Sequence, residues 1–147
     1  MLESAPPKEP QSAAAVLMVR PARFGFNPQT AASNAFQENT WPQGADAAGI
    51  HAAALAEFDA LAEGLARAGV QVVVAHDTLH PAKPDAIFPN NWVSFHCDGT
   101  VVLYPMMAPN RRLERRDEVL SEVAAAGAFR ITRTVDLCHR EEIGQYL

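Results

Sequence analysis

Cysteine is scarce in this chain: Cys97 and Cys138 are the only two among 147 residues, and no Cys-x-x-Cys pair occurs. That excludes a disulfide framework and reads as two reduced thiols in a cytoplasmic protein. Basic charge is also short, with 12 Lys and Arg against 17 Asp and Glu, a net charge of -5 and a pI near 5.5. No basic stripe stands out, which argues against nucleic-acid binding. No apolar run approaches the ~20 residues needed to span a bilayer. Met1 to Pro10 carries Glu3, Lys8 and Glu9 without an apolar centre, so it does not read as a signal peptide. What remains, at 48% hydrophobic and 20% charged, is the composition of one modest globular domain.

Residues 1–14 are rich in Pro, Ser, Glu and Lys and read as a disordered N-terminal tail; a domain is expected over 15–147. Val16, Leu17 and Val19 mark a short buried strand that ends at Arg20-Pro21. Pro21 to Gly49 has no periodicity but holds Phe24, Phe26, Phe36 and Trp41, so it reads as a long loop, either a lid or an irregular surface segment pinned by aromatics. Leu55, Phe58, Leu61 and Leu65 predict a helix over Ile50–Ala68, capped by Gly69. Val70 to Val74 predicts a strand parallel to the first.

The stretch from Lys83 to Phe95 concentrates the polar chemistry. Read as a strand, it places Asp85 and Asn91 on the same face as Ile87, Val93 and Phe95. A buried carboxylate needs a partner, and an external cation such as a guanidinium would serve; Lys83 is expected to face solvent. Six residues of straight strand span roughly 20 Å, so Asp85 and Asn91 can share a small ligand only if the chain bends, and Pro89 is where it could. Further on, Asp98-Gly99 predicts a type I′ hairpin between Asn91–Cys97 and Thr100–Tyr104, with Cys97 a small core residue and His96 on the surface. A second helix is expected over Arg111–Ala126, with Asn110 as its N-cap and Leu113, Leu120, Val123 and Ala124 buried. Gly127 ends it, and a weak strand follows over Phe129–Leu137.

Pro84-Asp85-Ala86-Ile87-Phe88-Pro89-Asn90-Asn91 resembles the first substrate-binding strand of the guanidino-group-modifying superfamily. That group holds arginine deiminases, dimethylarginine hydrolases and amidinotransferases. Met18 to Pro28 and Ala108-Pro109-Asn110-Arg111-Arg112 support the resemblance in the right order. The match looks nearest to bacterial arginine-deiminase-related proteins linked to citrulline use. The resemblance implies an α/β fold, the pentein propeller of five ββαβ-type modules, of which about two are present because the strand–helix–strand order occurs twice.

It further implies a chemistry in which a cysteine thiolate attacks the guanidinium carbon, a histidine moves the proton and acidic groups hold the nitrogens. On that basis Asp85, Asn90, Asn91 and Arg111 are the expected substrate-binding residues, with Arg111 meeting the substrate α-carboxylate. Asn91 stands where relatives carry an aspartate, which leans toward a neutral, ureido-type head group. The family's nucleophile and histidine lie farther along than Leu147, so the chain is expected to be an N-terminal portion, inactive by itself. Cys138-His139 is not a suitable dyad, because neighbours on a strand face opposite ways.

No metal or organic cofactor is expected, the partner is a small arginine-like molecule, and oligomeric state is open. Two other classes compete: a non-catalytic binding or assembly module on the same scaffold, and a metal site using His76, His80 and Asp85. The histidines read better as solvated loop residues, because Pro81 makes a helix there unfavourable.

Overall fold

The computed structural model describes residues 11–34 and 46–146. The expected disordered tail falls mostly on residues 1–10, and Phe36 and Trp41 of the expected lid fall within 35–45; both stretches lie outside the described residues. The apolar run after Ala14 forms β1, Ala15–Arg20. It pairs in parallel with β2, Gln71–His76, in a register that sets Val16 beside Val72 and Val19 beside Ala75. The connection is α1, Ala47–Arg67, whose N-cap Asp46 accepts a 2.7 Å hydrogen bond from the Gly49 amide. At its far end Gly69 takes φ +87°, the left-handed conformation that the sequence reading assigned to it. Phe58 is the buried anchor of α1, whereas Leu61 stays 56% exposed and borders an apolar cavity. Arg20 closes the unit with a two-pronged bond to Asp59, both at 2.8 Å.

The second unit is an antiparallel pair, β3 (Val93–Phe95) and β4 (Thr100–Leu103), with β5 (Arg133–Asp136) parallel to β4. Between β4 and β5 the predicted single helix is two: α2, Pro109–Arg112, and α3, Asp117–Ala125. Pro109 opens α2, so the N-cap is Ala108 and Asn110 lies inside the turn, not ahead of it. The break rotates the buried face. Val119 and Val123 are buried, while Leu113 is 47% exposed. The two units share one core in which Val19, Ala75, Trp92, Val93, Val101 and Val119 meet, flanked by an edge-on contact of Phe95 and Phe129. The architecture is α/β.

Three local expectations are corrected here. The Asp85–Phe95 stretch is not one strand. Lys83–Phe88 turns twice, through Ala86 N–H to Lys83 O and Phe88 N–H to Asp85 O, and Pro89–Asn91 is a 3-10 turn. Proline at 89 denies a ladder its N–H and supplies the bend that a shared ligand would need. The hairpin loop is also not type I′. His96 pairs with Thr100, leaving Cys97-Asp98-Gly99 as a three-residue loop, and only Gly99 has positive φ, at +84°. A type I′ turn would need Asp98 there as well; a type I turn closed by a left-handed glycine needs one such residue. That loop also places Cys97 at an exposed tip rather than in the core.

Gly99 is therefore a sensitive position. A Cβ there would sit 2.8 Å from the Arg130 carbonyl oxygen and 2.7 Å from Thr132 Cγ2. Gly99→Ala is expected to lower unfolding free energy by about 1–3 kcal/mol, from the strained φ and the clash together. Urea denaturation checks it; a loss under ~0.5 kcal/mol would mean that the loop re-forms without cost.

Candidate functional site

The site forms where the turn before β3, the loop after β1 and α2 converge. Asp85 is 8% exposed, and the partners it lacked in sequence come from far along the chain. Asn27 Nδ2 donates to Asp85 Oδ2 at 2.7 Å, and Thr30 Oγ1 donates to the same oxygen at 3.1 Å. Arg111 Nε lies 3.8 Å away, a Coulombic contact rather than a hydrogen bond. The cation that compensates this carboxylate is thus the chain's own, where an external guanidinium had been expected.

Asn27 is fully buried and holds the loop in place. Its Oδ1 accepts from Asn110 Nδ2 at 2.8 Å and from the Gln29 amide at 3.1 Å, while Gln29 Oε1 accepts from the Asn110 amide at 2.9 Å. The loop after β1 is thereby fastened to α2. Sequence reasoning quoted Asn27 within a motif but gave it no role; its partners are 58 and 83 residues away.

Arg111 Nη1 donates to Asn91 Oδ1 at 3.1 Å. Nη2 reaches the carbonyls of Phe88 and Asp85 at 3.3 and 3.4 Å. Glu114, 4% exposed and unnoticed in the sequence, takes Nε and Nη2 side-on, each at 3.0 Å. Burial pushes the Glu114 carboxyl above its ordinary range, against the opposing pull of Arg111. α2 is a single turn that stops at Arg112, too short for a helix dipole to favour or disfavour the Arg111 cation. The dipole cost expected for a first-turn arginine of one long helix therefore does not arise.

Asp85, Asn91 and Arg111 together line one cleft of about 530 Å³, closed by Thr30, Ser33 and Asn34 on one side and by Met106, Met107 and Phe88 on another. Asn90 faces elsewhere. It borders the larger, apolar cavity of about 770 Å³ between β1 and α1. So the structure brings three of the four expected residues to one cleft and sets the fourth on its neighbour.

Below the cleft, Glu141 accepts from the Met106 amide at 2.8 Å and from Arg115 at 2.6 Å, with Arg112 at 3.2 Å. Burial raises its pKa, but the Arg115 bond, the Met106 amide and the two cations outweigh that and leave it lowered.

Lys83 is corrected outright. It is 1% exposed and pairs with Asp77 at 3.0 Å, while also donating to Thr78 Oγ1 and to the Pro81 carbonyl, each at 2.8 Å. Neither cysteine touches the cleft. Cys138, in the 3-10 segment Cys138–Ile143, has its thiol pushed up to about 11 by burial and by the Asp136 side chain, so it is protonated near neutral pH. Among the described residues, no group of three or more His, Cys, Asp or Glu could hold a metal ion, and His76 simply ends β2. No helix of the described residues is long and apolar enough to cross a membrane.

Residues 20–147 match the family model described as N,N dimethylarginine dimethylhydrolase, eukaryotic. Neither a curated protein nor a solved structure matches the chain. The matched region takes in β1's last residue, every later element and every residue of the polar cleft, and the chain belongs to the N,N dimethylarginine dimethylhydrolase family.

Proposed function

We propose that this chain forms the substrate-binding part of a hydrolase acting on the guanidino or ureido carbon of an arginine-like amino acid: a methylarginine, arginine or citrulline. The observation that carries the proposal is the buried Asp85 carboxylate, which lines a cleft together with Asn91 and Arg111. In this reading Asp85 anchors the ligand's polar nitrogens and Arg111 meets its α-carboxylate. Met106, Met107 and Phe88 cover the aliphatic stem. Asn90, expected to help, borders the adjoining apolar cavity and takes no part in this reading of the cleft. A five-module propeller, with about two modules in residues 15–147, is the scaffold this reading assumes.

The nucleophilic thiolate and the histidine that moves the proton would be supplied outside these 147 residues. Cys138 is a poor thiolate and lies outside the cleft, and Cys97 sits on a hairpin tip. The 147-residue chain is therefore expected to bind ligand without turning it over.

Asn91 decides the head group. Because Arg111 Nη1 donates to its Oδ1, the amide is oriented, and its Nδ2 presents N–H donors. Donors suit the carbonyl oxygen of a ureide better than the N–H edge of a guanidinium. Calorimetric titration with citrulline and with Nω,Nω-dimethylarginine tests this. Asn91→Asp is expected to tighten dimethylarginine binding by about tenfold relative to citrulline, the worth of one charge-assisted hydrogen bond. Unchanged relative affinities would remove Asn91 from the specificity argument. Failure of both ligands to bind the parent chain would sink the substrate-site reading.

A further inference from the structure

Arg111 has five N–H groups, and the described residues use nearly all of them. Nε donates to Glu114 Oε1, and Nη2 divides between Glu114 Oε2 and the Phe88 and Asp85 carbonyls. Nη1 gives one N–H to Asn91. Its second N–H has no partner among the described residues, and both Arg111 and Asn91 border the cleft. Which N–H is left over is set by the side-on fork. Glu114 occupies the Nε–Nη2 edge, so the Nη1 end is the one left for a ligand. The fork is itself anchored, since the Glu114 amide bonds the Arg111 carbonyl at 3.0 Å across the short turn that follows α2.

We propose that Glu114 is a positioning residue for ligand capture: it locks the Arg111 guanidinium so that a single Nη1 N–H is offered to a carboxylate in the cleft. This rests on the reading of Arg111 as the group that meets the ligand's carboxylate. A free arginine side chain must give up several rotamers on binding an anion, and one already clamped has little left to lose. The capture is then one-pronged, because the two-pronged edge is committed to Glu114.

The clamp also has a pH dependence. The charged groups that act on Glu114 are Arg111, Asp85 and Asp77, and Asp77 is itself paired with Lys83. Protonating Glu114 weakens the fork. Preference for a carboxylate-bearing ligand is expected to fall as pH drops, with a midpoint above the ordinary 4.5 because burial raises the group.

The test is Glu114→Gln, which keeps shape but puts an amide where the second acceptor stood. Two titrants are compared on the parent chain and the variant: Nω,Nω-dimethylarginine and its decarboxylated analogue. The variant is expected to bind dimethylarginine about tenfold or more weakly, to bind the analogue within about twofold of the parent, and to lose the acid-side fall in preference. Equal weakening of both ligands, or of neither, overturns the proposal. A second measurement needs no ligand. The Arg111 Nε–H resonance, identified with Arg111→Lys, is expected to exchange slowly with solvent in the parent and at least tenfold faster in the variant. Unchanged exchange overturns the clamp. Slow exchange in a parent chain that does not distinguish the two titrants would leave the clamp standing while removing Arg111 as the carboxylate partner.

Discussion

Replacing Lys83 by methionine is expected to lower the unfolding free energy by about 3–5 kcal/mol, the cost of leaving a buried charge without its partner. Lys83 and Asp77 side chains are each 1% exposed and stand 3.0 Å apart. Water cannot replace the ammonium. The Asp77 oxygens have no hydrogen-bond donor other than this ion contact among the described residues. Methionine fills the volume of the lysine stem, so the loss is electrostatic rather than a cavity effect. For a chain of this size the thermal midpoint should drop by roughly 10–20 °C. The double variant Lys83→Met, Asp77→Leu should recover part of the loss, because it removes the orphaned charge. Recovery would be partial, since the Thr78 and Pro81 groups that Lys83 bonded are left without their donor. Thermal and urea denaturation of the three proteins decide it. A single-variant loss below ~1 kcal/mol would show that the pair is solvated.

Asp85→Asn is expected to weaken binding of an arginine-like ligand by about tenfold to a hundredfold, equivalent to roughly 1.5–3 kcal/mol for hydrogen bonds that lose their charge. The substitution keeps shape and volume. It fails because Asp85 Oδ2 is addressed by Asn27, Thr30 and Arg111 together, and a neutral amide compensates the Arg111 cation poorly. Loss of stability is expected to be smaller than for Lys83→Met, because the Asn27–Asn110 pair still fastens the loop to α2. Calorimetric titration gives the affinity, and a thermal melt separates the two effects. Affinity unchanged within twofold would reduce Asp85 to a structural brace.

Both experiments turn on burial that the sequence did not reveal. Lys83 read as solvent-facing because lysines rarely bury and its neighbours in sequence offer no reason for it. Its acceptors come from a loop that folds back over it between Asp77 and Pro81. Glu114 drew no assignment from the sequence at all. It lies between α2 and α3, three residues after Arg111, and its burial against that guanidinium is what the sequence did not show.

The sequence by itself determined what local pattern can determine. Apolar runs and helical spacing placed β1, α1 and β2, and Gly69 and Gly127 adopt the left-handed conformations expected where helices end. The motif segments around Asp85, Asn27 and Arg111 were enough to point to the guanidino-modifying superfamily, because three short segments in order are specific without any geometry. Tertiary structure alone decided which side chains meet. The Asp85 carboxylate is satisfied from 58 and 55 residues away, a polar strand became two turns because Pro89 cannot join a ladder, and a lysine and a glutamate were taken out of water. Hydrogen bonds and ion pairs between distant residues leave no periodicity in the chain, and the low-dielectric interior that makes them strong exists only after the fold has closed around them.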